Sequence, residues 1–170
     1  MSRSVLILIL LLAGSCTSSD YYRSKLSSIL GTEVEVEDVT YYYDQSGIVS
    51  SDGYTLTIFL LTRETIDRFL VDQTKLEYPV NFKDGGDWNS TTWTKGSLSA
   101  EFKEIKSIIL DYYTDDAKQK EMLKNIERLL QSESIYYASF YRGELEYPDA
   151  VLFFLLDPSN ATIYIFDIAI

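Results

Sequence analysis

Histidine is absent from the chain and cysteine occurs once, at Cys16. The first absence removes the commonest general base and the commonest zinc ligand. The second rules out an intramolecular disulfide, so the fold must be held by its core. Together they exclude Cys–His and Ser–His nucleophile pairs and cysteine-rich zinc sites. Long hydrophobic runs are also missing. The longest, Val5 to Ala13, is nine residues, against about 20 for a membrane-spanning helix. Basic residues are scarce, 15 Lys+Arg against 26 Asp+Glu, for a net charge of −11. That balance disfavours nucleic acid and anionic lipid surfaces as partners. It suits a basic protein partner, cations, or solubility alone. There is no internal repeat and no low-complexity segment.

What is present begins with a distinct N-terminal stretch. Met1-Ser2-Arg3-Ser4 carries one positive charge, the apolar run follows, and Gly14-Ser15 precede Cys16. A charged start, a short apolar stretch and small residues before a break describe an export signal. Residues 1–15 are therefore expected to be a cleaved signal peptide. Leu12-Ala13-Gly14-Ser15-Cys16 resembles a bacterial lipobox, although leucine usually stands three places before the cysteine and here that place is Ala13. The resemblance implies a thioether-linked diacylglycerol on Cys16, with palmitate-type acyl chains. Each buried methylene adds about 0.8 kcal/mol, so two or three chains anchor stably. Residues 16–19 would then be the lipidated cysteine and a short tether, and 20–170 one domain. Thr17, rather than Asp, follows the cysteine. By resemblance to Gram-negative lipoproteins this argues against retention in the inner membrane, giving an outer-membrane or periplasm-facing position.

The remainder patterns as an α+β domain, with an antiparallel sheet of about five strands and helices packed on one face. Ser18-Ser19-Asp20 caps a helix with Tyr22, Leu26, Ile29 and Leu30 on one side and Gly31 as its stop. Glu33 to Tyr43 alternates Glu33, Glu35 and Glu37 with Val34 and Val36, the period of a half-solvated strand. Tyr54 to Leu61 pairs with it as a hairpin. Thr62 caps a helix carrying Ile66, Phe69 and Leu70. Leu76 to Phe82 reads as a short extended piece that Pro79 confines to an edge. Lys83 to Lys95 reads as the least structured stretch. Phe102, Ile105, Ile108, Ile109 and Tyr112 keep helical spacing. A further helix starts at Asp115-Asp116 and buries Met122, Leu123, Ile126, Leu129 and Leu130. Its polar side bears Lys118, Lys120, Lys124 and Arg128, a basic stripe that reads first as a solvated face. Ile135 to Tyr141, Ala150 to Leu156 and Thr162 to Ile168 close the chain as strands, the last two joined by Asp157-Pro158-Ser159-Asn160-Ala161. Val151 to Leu156 is apolar on both sides, which marks a central strand.

Tyr43-Asp44-Gln45-Ser46-Gly47 followed by Asp52-Gly53-Tyr54-Thr55-Leu56 resembles a hairpin in a family of small uncharacterised bacterial lipoproteins. Asp157 before the last turn and Tyr164 after it resemble that family's closing hairpin. The histidine and paired glycines often seen in the family's first loop are missing here. The resemblance implies a fold type and carries no activity.

The most site-like stretch is the loop with Asp84, Asp87, Trp88, Asn89 and Trp93. Indoles beside carboxylates and amides suit sugar binding or a protein interface; alternatively, both rings fold back on the core. Asp44 and Asp52 do not match the calcium-loop spacing, and no metal or cofactor is expected. Fourteen tyrosines, several in adjacent pairs, suggest some rings on an outer surface. The expectation is a membrane-tethered, non-enzymatic envelope lipoprotein that binds a protein or other ligand. An immunity-type inhibitor of a basic periplasm-delivered toxin and an envelope-polymer hydrolase are the alternatives.

Overall fold

The computed structural model describes residues 18–45, 53–72, 79, 87–111 and 116–170. The expected signal peptide, Cys16, Asp52, Asp84, Tyr112, Tyr113 and nearly all of the Leu76 to Phe82 piece lie outside them. The rest is α+β, built on a seven-stranded antiparallel sheet.

Helix α1 is Ser18–Leu30. Gly31 follows at φ 68°, a left-handed conformation that glycine reaches without a Cβ clash and that ends the helix. Tyr22, Leu26, Ile29 and Leu30 form its buried side, as their spacing requires. Strands β1, Val36–Asp44, and β2, Gly53–Leu61, pair as a hairpin. Helix α2, Arg63–Val71, is capped by Thr62, whose side chain accepts from the Thr65 backbone N–H. Ile66 and Phe69 are buried, but Leu70 is exposed, contrary to the expected apolar side. Helix α3, Lys103–Leu110, follows a short 3₁₀ turn, and helix α4 is Ala117–Leu129. Strands β5, Tyr136–Glu144, β6, Tyr147–Asp157, and β7, Thr162–Ala169, form a meander. In the last turn the Asp157 carboxylate accepts from Ser159 N–H and Asn160 Nδ2.

The strand order is β1-β2-β7-β6-β5, so β6 lies inside the sheet as its two-sided apolar pattern required. Alternate residues of β6 enter two cores. Leu152, Phe154 and Leu156 pack with α1 and α2, whereas Val151, Phe153 and Leu155 pack with α3 and α4. The expected placement of all helices on one face is thereby corrected. A strand apolar on both sides needs cover on both, and two helices supply it on each.

Lys83 to Lys95 is expected to be the least structured stretch; its described residues, 87–95, carry two short strands. Strands β3, Trp88–Ser90, and β4, Thr94–Lys95, both pair with β5. The chain advances four residues from Ser90 to Thr94 while β5 retreats three, from Phe140 to Tyr137. This one-residue excess is a bulge. Within it, Thr91 N–H donates to Ser139 O at 2.8 Å and Thr91 Oγ1 accepts from Ser139 N–H at 2.9 Å. The pieces satisfy an edge of β5 that would otherwise present unpaired backbone groups.

Candidate functional site

Two register shifts in β1, between Val36 and Asp38 and between Val39 and Tyr41, decide where its tyrosines go. Each shift reverses the side a residue faces. Val36 and Val39 pack on the core under α1 and α2, and beyond the second shift Tyr41 and Tyr43 pack on the core under α3 and α4. Tyr42 is left on the α1 side, with its ring exposed.

Tyr42 stands opposite Thr57, Asp44 opposite Thr55, and Thr55 opposite Asp167. These residues make a polar corner on an otherwise apolar face. The Tyr42 hydroxyl donates to Asp44 Oδ2 at 3.0 Å, and Thr55 Oγ1 donates to Asp44 Oδ1 at 3.4 Å. From α1, the Tyr22 hydroxyl donates to Asp167 Oδ2. Burial raises the Tyr22 phenol well above its ordinary value, and the Asp167 carboxylate adds to the effect. Tyr21 lies edge-on to Tyr22 at 5.3 Å between centroids and is itself exposed. Lys25 Nζ sits 5.9 Å from the Tyr21 ring centre. The corner therefore offers two exposed phenol rings above a buried hydrogen-bonded tyrosine. Sequence reading missed it, because Tyr22 and Asp167 are 145 positions apart. One signal was present. Asp167 continues the inward series Ile163, Ile165 of an apolar strand, where a carboxylate needs a donor.

The expected tryptophan site does not assemble as one surface. Trp93 is 1% exposed, and its Nε1 donates to Ile29 O at 2.8 Å. Its ring meets Phe69 edge-on at 5.4 Å, so it is a core residue and cannot stack on a ligand. Trp88 is half-buried on β3 against the same core. Asp87 and Asn89 are exposed, and Asn89 Nδ2 donates to Gly143 O at 3.1 Å.

Other candidates resolve individually. Tyr136 and Tyr137 are both buried because both sheet faces are covered. Lys118, Lys120, Lys124 and Arg128 are all exposed on α4, with Lys118 Nζ 5.4 Å from the Tyr41 ring centre. Glu33, Glu35 and Glu37 are exposed, and Glu35 pairs with Arg68 at 3.3 Å. Among the described residues no group of three or more Asp, Glu or Cys side chains is arranged to hold a metal ion. No helix among them is long and apolar enough to cross a membrane. A shallow groove of about 440 Å³ runs beside α2, lined by Thr32, Asp67, Arg68, Val71 and Asp72. Gln119, in the first turn of α4, is fully buried, and neither polar atom of its amide has a hydrogen-bond partner among the described residues.

The chain matches no protein-family model, no curated protein and no solved structure.

Proposed function

We propose that this chain is an exported lipoprotein of the bacterial cell envelope, cut before Cys16, anchored through a lipid on that thiol, and acting by binding rather than by catalysis. The observation that carries the reading is the order of residues 1–16: one arginine, nine apolar residues, two small residues and the chain's single cysteine. With no second cysteine in the chain, no intramolecular disulfide competes for this thiol. The presence of Ser18 within α1 supports it, since helical structure is then found within two residues of the attachment point. The choice of binding over catalysis rests on the absence of histidine and on the exposed rings of Tyr21, Tyr42 and Tyr147, a residue type favoured where proteins make contacts.

The test is fractionation of cells making the wild type and Cys16→Ala. The wild type is expected in the membrane fraction and to incorporate labelled palmitate, with the variant released and unlabelled. A Cys16→Ala protein that stays with the membrane overturns the anchor.

A further inference from the structure

The tether and the tyrosine corner constrain each other. Only Thr17 separates Cys16 from Ser18, which already lies in α1. Two residue steps span at most about 7 Å, so a lipid on Cys16 holds the start of α1 at the bilayer surface. Tyr21 and Tyr42, 42% and 38% exposed, are two of six exposed large hydrophobic side chains among the described residues. Both lie at this end of the helix, around Tyr22. Tyrosine is enriched at membrane interfaces, where its ring meets acyl chains and its hydroxyl meets headgroups. Charge agrees. In a protein of net charge −11, α1 carries Arg23 and Lys25 against Asp20 alone. The neighbouring carboxylates are engaged, Asp44 by Tyr42 and Thr55, and Asp167 by Tyr22.

We infer that the corner formed by Tyr21 on α1 and Tyr42 on β1 rests on the headgroup layer of the membrane that holds Cys16, an inference that depends on the anchor proposed above. The domain then stands on this corner. Strand β7 runs from the far end back to Asp167 beside Tyr22, and its eight residues span about 25 Å. The turn at Pro158–Asn160 therefore faces away from the bilayer.

The test uses full-length protein, processed in cells, purified from membranes and reconstituted into phosphatidylcholine vesicles containing a headgroup-linked quencher lipid. With Cys16 blocked by its thioether, Arg23→Cys and Ser159→Cys each supply one free thiol for a fluorescent label. The label at position 23 is expected to lose most of its emission and the label at 159 almost none. Adding Tyr21→Ser and Tyr42→Ser is expected to restore much of the emission at position 23 while the protein still floats with vesicles. Equal quenching at both positions, stronger quenching at 159, or no response to the tyrosine changes overturns the orientation in a protein that carries its lipid. A mass showing no lipid overturns the anchor and the orientation together.

Discussion

The Tyr22 hydroxyl joins α1 to β7 through Asp167, and this bond has a pH signature. Burial, then Asp167, raises the phenol's pKa in the fold, whereas in the unfolded chain it ionises near about 10. Above that pH the unfolded chain binds fewer protons than the native one. The contribution is thus complete below pH about 10 and is lost as pH rises above it. Tyr41, raised by burial and then by Asp116 and Tyr43, and Tyr164, raised by burial and then by Asp157, act in the same direction. Urea melts at stepped pH are expected to show stability falling above pH about 10, with a shallower fall in Tyr22→Phe. An unchanged alkaline slope in that variant would remove Tyr22 from the account. The two tryptophans separate at the same scale. Trp93→Ala is expected to cost about 3–5 kcal/mol, as for other large core truncations, and half-buried Trp88→Ala much less. Calorimetry on both variants checks this, and comparable losses would contradict the assignment of Trp93 alone to the deep core. Gln119→Met replaces a buried amide lacking partners among the described residues with an apolar chain of similar shape. It is expected to raise stability by about 1 kcal/mol, the usual scale of an unmet polar group; a loss would mean the amide is satisfied in solution.

Elements whose signals are local were legible in the sequence. Asp116 caps α4 by accepting from Lys118 N–H and Gln119 N–H, and Thr62 caps α2. Both followed from side-chain oxygens placed just before an apolar periodicity. Asp116→Ala is expected to cost about 1 kcal/mol, read as a shift in urea midpoint at constant slope. The last turn was equally readable: Asp157, Pro158 and Asn160 are turn formers, and Ala161 completes it at φ 51°. The elements that escaped have nonlocal causes. β3 and β4 are too short to show a period, and they exist because β5 offers an edge. Trp93 turns inward because a bulge falls between those pieces. The register shifts of β1, which leave Tyr42 outside and draw Tyr41 and Tyr43 to the other core, have no mark in a simple alternation.

At the scale of the molecule, a sheet apolar on both sides is enclosed between two helical layers. The chain carries a net charge of −11, while exposed basic residues gather on α4 and in the first turns of α1. The enclosure was implicit in Val151 to Leu156, but which helices go to which face depends on chain crossings that composition does not encode. The tyrosine corner was illegible for the same reason, since it joins α1, β1, β2 and β7. The account of what the protein does turns on residue 16. Intact-mass spectrometry of the full-length gene product, extracted from membranes, tests it most directly. The expected mass is that of a chain beginning at Cys16 and bearing diacylglycerol; an unmodified thiol, or residues 1–15 still attached, would contradict it.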